Sequence, residues 1–407
     1  MNLVLLAHPT FLGLTSQDRF ATMLAEGLAA RGVTVTLRRP AALLRRWWPV
    51  PGAGGVLARL AGYVDQYLLF PPVLAVQAAA DPPDTLYVLC DQALGPWLPL
   101  LAHRPHVVHC HDFIALRSTL GEWPGRQPKA GGRLLQHAIR RGLRGARHAV
   151  SVSRATQADL HHVGGVHPFT SEVVPNPVAP AFTRLSANEA WARLQAVGLA
   201  RVSEPPLLVL ASSAWYKNVS GALAIYAVYA AARHAAGQPV APLWLRTPAS
   251  LAAAFVNVPL PPGAELRWLP PLDDATLAAL YSVAGALLFP SHAEGFGWPL
   301  AEAQACGCAV LATDAAPMNE VAGAHAHLLP LLSPSADAGT REAWASACGQ
   351  QLALVLADPA TFSDSAIAER RQSARRFDAE TVFDAYLAVY RRVASSEALR
   401  RQTMARA

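Results

Sequence analysis

Short apolar runs alternate along the chain with longer stretches whose apolar residues recur at helical spacing, the rhythm of parallel strands connected by helices. Residues 2–7 read as a buried strand. A loop over 8–14 follows, then a helix over 16–31, opened by Thr15 with Asp18 three residues on and ended by Gly32. The strand pattern returns at 33–37, 85–90, 106–109 and 149–152, with helical stretches between. Past a proline-rich segment at 174–180 it restarts, with strands at 207–211, 242–245, 265–269, 286–289 and 308–312. Helices fall between them, one from about Ser220 and others at 274–283 and 299–305. The expected fold class is α/β, with two Rossmann-like parallel-sheet domains over residues 1–180 and 181–375. From about Arg341 the chain is mostly helical, and residues 376–407 are expected to pack back toward the first domain.

Composition narrows the class. Of 407 residues, 52% are hydrophobic and 15% charged, which excludes wholesale disorder. Five scattered cysteines (Cys90, Cys110, Cys306, Cys308, Cys348) make neither a disulfide framework nor a zinc module and suit a reducing compartment, so a cytoplasmic location is expected. No window reaches about 18 uninterrupted apolar residues. The stretch 67–80 is interrupted by Pro71 and Pro72, so no spanning helix is expected. Residues 1–10 lack a basic leader and run straight into a strand, so no signal peptide is expected either.

The net charge is +6, yet residues 1–182 hold 17 Lys and Arg against 10 Asp and Glu, while the remainder holds 17 against 18. The excess in the N-terminal half calls for an anionic partner there: a membrane surface, nucleic acid or a charged substrate. No nucleic-acid-binding module is recognisable, so nucleic acid is the poorest of the three. Of the 34 basic residues only Lys129 and Lys217 are lysines, which singles both out.

The most informative stretch is 289–307, Phe-Pro-Ser-His-Ala-Glu-Gly-Phe-Gly-Trp-Pro-Leu-Ala-Glu-Ala-Gln-Ala-Cys-Gly. A strand enters a glycine-containing turn, and Pro299 suits the first helical turn, where a missing N–H costs nothing. Free backbone amides and the positive end of the helix dipole make that turn a phosphate site, and Gly295 and Gly297 allow close approach. Glu302, one turn in, points back at the same mouth, where a neutral diol such as a ribose is its sensible partner. A carboxylate there also complements the dipole with no ligand at all. Glu294 sits at the strand end and can face the same ligand. Lys217 lies between a strand and a helix, a ligand-lining position in open α/β sheets, and its ammonium could neutralise a departing diphosphate. A solvated loop lysine is the plain alternative.

These motifs resemble those of retaining glycosyltransferases of family 4. Glu294 to Glu302 is similar to the family's Glu-x7-Glu signature, Ser212-x4-Lys217-Asn218 to its donor-phosphate loop, and Val173-Val-Pro-Asn-Pro177 to its interdomain Pro-Asn-Gly segment. Residues 269–281 look like the strand, loop and helix that lead to the Glu loop. The resemblance spans most of the chain and implies the GT-B architecture, two Rossmann-like domains facing each other across a cleft. It implies a hexosyl-type, metal-independent transfer, without cofactor, from a nucleoside diphosphate sugar to the hydroxyl of a glycan or lipid-linked acceptor. Glu302 would hold the donor ribose, the backbone of Gly295, Phe296, Gly297, Trp298, Pro299 and Leu300 would cradle sugar and phosphate, Lys217 would stabilise the leaving diphosphate, and Glu294 would contact sugar hydroxyls. The chain departs from the family at Ser212, where many members carry Arg, and at Pro177, where Gly is usual.

In the first half, His103, His106, His109 and His111 crowd together before Asp112 without the companions a metal site needs. His111-Asp112 resembles the family's strand-ending His-Asp, which implies that His111 faces the donor sugar. Gly13, in the first turn, fits a donor or acceptor approaching that loop. Arg45, Arg46, Trp47 and Trp48 combine guanidinium and indole groups suited to a headgroup boundary, which leads to an expected peripheral contact with anionic membrane at the inner face of the cell membrane. A solvated helix face with partly buried tryptophans is the alternative reading of that segment. The function expected is a retaining glycosyltransferase of bacterial polysaccharide or glycolipid assembly. Its rival is a non-catalytic GT-B scaffold subunit that binds nucleotide sugars. A nicotinamide oxidoreductase would need a glycine fingerprint and an acidic residue where Arg38 and Arg39 stand.

Overall fold

The computed structural model describes residues 1–47, 55–255 and 258–406. Two compact units account for them: unit 1 comprises residues 1–176 and 380–407, and unit 2 residues 177–379. Trp48 lies outside the described residues.

Unit 1 is built on six parallel strands, β1 (Asn2–Leu6), β2 (Thr34–Arg38), β3 (Leu86–Leu89), β4 (His106–Cys110), β5 (His148–Ser151) and β6 (Thr170–Val173), in the spatial order β2-β1-β3-β4-β5-β6. Its helices are α1 (Thr15–Ala29), α2 (Gly55–Val64), α3 (Phe70–Ala80), α4 (Ile114–Thr119), α5 (Ala130–Leu143) and α6 (Arg154–His162). The strands β1, β3, β4 and β5 are almost wholly buried because helices cover both faces of the sheet. β6 escapes sequence reading because it is half-buried throughout and shows no alternation.

On α1, Phe20, Ala21, Leu24 and Leu28 supply the buried stripe that the spacing predicts. The expected opening by Thr15 and Asp18 does not form: Leu14 is the cap position with no side-chain bond, because the Asp18 carboxylate is drawn to the Arg39 guanidinium. On one side of the sheet, α3, α5 and the 3-10 turn Gln92–Leu101 share a core that includes Leu74, Trp97, Leu98, Ile139 and Leu143.

Unit 2 repeats the design with β7 (Leu207–Leu210), β8 (Leu243–Arg246), β9 (Leu266–Trp268), β10 (Ala286–Phe289), β11 (Val310–Thr313) and β12 (His327–Leu329) in the order β12-β11-β10-β7-β8-β9. Its helices are α7 (Ala187–Ala196), α8 (Val219–Ala235), α9 (Ala249–Phe255), α10 (Asp274–Val283), α11 (Trp298–Ala305), α12 (Met318–Ala322), α13 (Ala338–Ala357) and α14 (Asp364–Ala374). Its core joins β7, β8, β10 and β11 to α8 and α13, with Leu207, Tyr226, Leu243, Leu288 and Leu352 among the buried members. Ser186 and Glu189 form a capping box on α7, and Asp273 caps α10.

The last helix, α15 (Ala379–Arg406), belongs to unit 1 from Glu380 onward. Its Tyr390 hydroxyl meets His109 Nε2 at 2.6 Å, Tyr386 donates to the Pro175 carbonyl at 3.1 Å, and Glu397 accepts from Arg147 at 2.9 Å. The packing is close enough that Gly27 of α1 leaves no room for a side chain against the Phe383 ring.

Candidate active site

In an open parallel sheet, the strand order reverses at one point, and the loops leaving the carboxyl ends of the two strands there splay apart into a crevice. In unit 2 that point lies between β7 and β10. The loop after β7 carries Ser212 to Asn218, and the loop after β10 carries Pro290 to Gly297, so strand order alone brings the two sequence motifs side by side.

The two loops are stitched together. Asn218, in the left-handed region at φ 50°, caps α8 through Gly221 N–H at 3.1 Å and donates its side-chain amide to the Pro290 carbonyl at 3.0 Å. His292 N–H donates to the Tyr216 carbonyl at 2.7 Å, and the Trp215 and His292 rings stack 6.1 Å apart. The result fixes Lys217, whose Nζ lies 2.8 Å from both carboxylate oxygens of Glu294. The same ammonium sits 5.4 Å from the Phe289 ring centroid and 5.7 Å from that of Tyr216. Two residues 77 positions apart thus form one charge pair at the mouth of the crevice.

Gly297, at φ 94°, is the cap position of α11 and has no side chain to obstruct its first turn. A Cβ there would be strained by the backbone and would press on Leu300 at 3.1 Å. Pro299 occupies the first turn, and Glu302 is buried one turn in. Burial pushes the Tyr281 hydroxyl well above its usual range, and the Glu302 carboxylate adds to the shift, so the two side chains are near one another. Three of the predicted residues are committed elsewhere. Phe296 is buried with its ring on Phe377 at 5.3 Å, the Trp298 indole N–H donates to the Pro177 carbonyl at 2.8 Å, and Leu300 is a core residue. Ser212 is exposed and its hydroxyl accepts from Ala214 N–H at 3.3 Å. Arg246, which the sequence could not place, ends β8 beside the β7 loop, and its Nε is buried without a hydrogen-bond partner.

In unit 1 the reversal lies between β1 and β3. His8 follows β1, Asp91 follows β3 and His111 follows β4. His8 is buried, with Nδ1 3.0 Å from Gln66 Nε2 and Nε2 3.7 Å from Asp91 Oδ1, too long for a hydrogen bond. Asp91 accepts from Ala93 N–H at 2.6 Å. Burial alone would raise its carboxyl, but the neighbouring His8 and His111 imidazoles and that amide outweigh it and hold it below the usual range. His111 Nε2 is 2.9 Å from the Cys90 carbonyl, which only accepts, so Nε2 carries the proton and Nδ1 the lone pair. Burial lowers its pKa against the pull of Asp91, leaving it neutral at pH 7. His8, Gln66 and Asp91 escaped sequence reading because each is an isolated polar residue in a different segment. Gly13, at φ 69°, has open space where a side chain would stand.

Two membrane-contact expectations need correction or restriction. Arg45 is buried, with its backbone amide on Asp65 at 2.8 Å, because the short turn Arg45–Trp47 folds inward over that carboxylate. Arg46 and Trp47 are exposed. The four histidines of 103–111 do not converge: His106 is 3.0 Å from the Arg104 carbonyl, His109 bonds Tyr390, and His111 bonds Cys90.

A cation, a helix N-terminus and two carboxylates at the switch point of a doubly wound sheet are the equipment of a nucleotide-binding α/β protein. The glycosyltransferase family 4 domain matches residues 17–182, and the glycosyl transferases group 1 domain matches residues 260–335. The chain thus carries the glycosyltransferase family 4 and group 1 domains, one in each half. Among curated relatives, the serotype-specific mannosyltransferase WbdA of Escherichia coli is 39% identical over 80 residues, 20% of this chain and 10% of that protein. The D-inositol 3-phosphate glycosyltransferase of Gordonia bronchialis is 33% identical over 136 residues, 33% of this chain and 27% of that protein. The chain thus matches between a tenth and about a quarter of the length of these relatives. Sucrose-phosphate synthase from Thermosynechococcus elongatus superposes with a TM-score of 0.70 at 18% identity, over 97% of this chain and 100% of that one. Anabaena HepE in complex with UDP and glucose gives 0.62 at 17% identity, over 96% and 99%. The architecture is GT-B, two six-stranded parallel sheets with their helices.

Proposed function

We propose that the protein is a retaining glycosyltransferase that moves a hexosyl group from a nucleoside diphosphate sugar to an acceptor hydroxyl, in polysaccharide or glycolipid assembly. The observation that carries this reading is the Lys217–Glu294 pair at the switch point beside the amino end of α11. Cleaving a sugar–phosphate bond leaves negative charge on the diphosphate. An ammonium and the positive end of the α11 dipole meet that charge without a divalent metal. Glu302, buried behind the same mouth, takes the donor ribose hydroxyls, and Glu294 takes sugar hydroxyls once the diphosphate draws Lys217 toward itself. Arg246 offers a second positive group in a chain that carries Ser212 where family members often have Arg.

Unit 1 presents neutral His111 with a lone pair on Nδ1 and ionised Asp91 at its own switch point, a polar seat for an acceptor glycan or lipid-linked acceptor. The relatives' names, a serotype-specific mannosyltransferase and an inositol-phosphate glycosyltransferase, favour the same reaction class. Anabaena HepE, of the same fold, binds UDP-glucose, which puts UDP sugars first in the panel to test. Five buried free cysteines fit the proposed cytoplasmic location.

The test is thermal unfolding against UDP-, GDP- and ADP-sugars without divalent metal, followed by transfer assays with the donor that stabilises. A donor at about 100 times its Kd should add roughly 2.7 kcal/mol. Glu302→Ala should abolish that shift, and His111→Ala should keep it while losing turnover. Stabilisation without transfer to any acceptor would favour the scaffold reading, and no stabilisation by any donor would sink the proposal.

A further inference from the structure

Of the 21 large hydrophobic side chains exposed among the described residues, 11 fall between Leu43 and Val76. Three lie at residues 43–47 and eight on one continuous helical stretch, for α2 runs through a π-helical turn (Asp65–Leu69) directly into α3. Phe70, Leu74 and Ala78 hold the inner face in the core of unit 1. The outer face is equally apolar: Val56 is 75% exposed, Leu57 64%, Leu68 66% and Val76 72%. A helix that is apolar on every side needs an apolar neighbour on every side, and a patch of this concentration marks an interaction surface.

The charges around it choose the occupant. Arg46 and Arg59 are exposed, and the Arg46 guanidinium lies 5.3 Å from the ring of Trp47, itself 70% exposed. Residues 41–80 contain a single acidic residue, Asp65, whose two carboxylate oxygens are buried on the Leu44 and Arg45 amides. On the same side of the sheet, α5 and the residues capping its two ends present exposed Lys129, Arg133, Arg141 and Arg144. A second copy of the chain docking face to face would set arginine against arginine with no exposed carboxylate in this segment to neutralise them. An anionic lipid surface supplies both an apolar layer and the missing negative charge. No helix among the described residues is long and apolar enough to cross a membrane, and the buried inner face ties this stretch to the protein.

We propose that this side of unit 1 docks on anionic membrane, with the outer face of α2 and α3 lying at the boundary between headgroups and acyl chains. Arg46, Arg59 and the basic row of α5 meet lipid phosphates. Docking is independent of the transfer reaction and is read separately from donor binding.

The experiment is flotation of the full chain with vesicles of phosphatidylcholine alone and of phosphatidylcholine mixed with phosphatidylglycerol, at low and high salt. Wild type should float with the mixed vesicles and be released by salt. Arg46→Ala with Arg59→Ala should lose about 30-fold in partitioning, from roughly 1 kcal/mol per basic side chain near an anionic surface. Leu60→Glu with Val76→Glu should stop flotation while keeping the wild-type melting profile and donor response, and Leu60→Ser with Val76→Ser serves if the first pair unfolds. No flotation with either vesicle, or equal flotation with both that survives salt and the arginine substitutions, would overturn the proposal. So would a dimer in solution that Leu60→Glu with Val76→Glu dissociates, because the face would then belong to a second copy.

Discussion

Lys217→Ala tests whether the charge pair of unit 2 serves stability or ligand binding. The Glu294 side chain is 7% exposed and that of Lys217 17%, so the substitution strands a nearly buried carboxylate. Removing one partner of a fully buried pair costs about 3–5 kcal/mol, and the water that reaches this ammonium reduces the expected loss to about 2–3 kcal/mol. For a unit of this size that is a fall in Tm of roughly 5–10 °C. Removing both charges, as Lys217→Met with Glu294→Met, should return stability to within about 1 kcal/mol of wild type, since the stranded charge is gone. Differential scanning calorimetry with and without the stabilising nucleotide sugar reads both effects. The single and double variants should alike lose the donor-induced shift, and turnover should drop by about two orders of magnitude or more in each. A double variant that recovers its Tm and also shifts with donor as wild type does would refute the assignment and leave the pair a structural ion pair.

Three further outcomes follow from particular contacts. Burial lowers the His106 pKa from its ordinary 6.5 to about 4, with Arg147 adding to the shift, so His106 is neutral in the fold and protonated more readily when unfolded. Its contribution is complete above about pH 6.5 and is lost as pH falls toward 4, about 3 kcal/mol in all; urea midpoints at pH 7.5 and 4.5 should show His106→Asn losing part of the wild-type pH dependence, and an unchanged dependence would contradict this. Gly142→Ala should destabilise by about 1–3 kcal/mol in denaturant melts, although Gly to Ala in an open helix gains about 1 kcal/mol, because a Cβ there would run into the Gly95 backbone. Trp298→Phe removes the donor to the Pro177 carbonyl and should cost about 1–2 kcal/mol in the same assay; a neutral result would mean that water replaces the indole.

Much of the site is local in the chain, and that part was legible. Glu294, Gly297, Pro299 and Glu302 belong to one strand–loop–helix turn, where the strand pattern, a glycine at positive φ and a proline in the first helical turn need no distant partner. The same locality made the strands of both sheets readable wherever they are fully buried. It failed at β6, Thr-Ser-Glu-Val, and at β12, His-Leu-Leu, where too few apolar residues follow one another to make a strand run.

The sequence by itself determined which loops carry charged and glycine chemistry, and that there are two sheets of parallel strands. Only the tertiary structure decided what meets what. The order β10-β7 sets Lys217 against Glu294, the order β1-β3 sets His8 beside Asp91, and α15 returns from the end of the chain to cover His109. It also decided that Arg45 turns inward while the outer side of α2 and α3 stays bare. The physical reason is that periodicity reports which positions are apolar but not which neighbour covers them. A stretch apolar on every side, such as residues 67–80, gives no phase from which a buried face could be read.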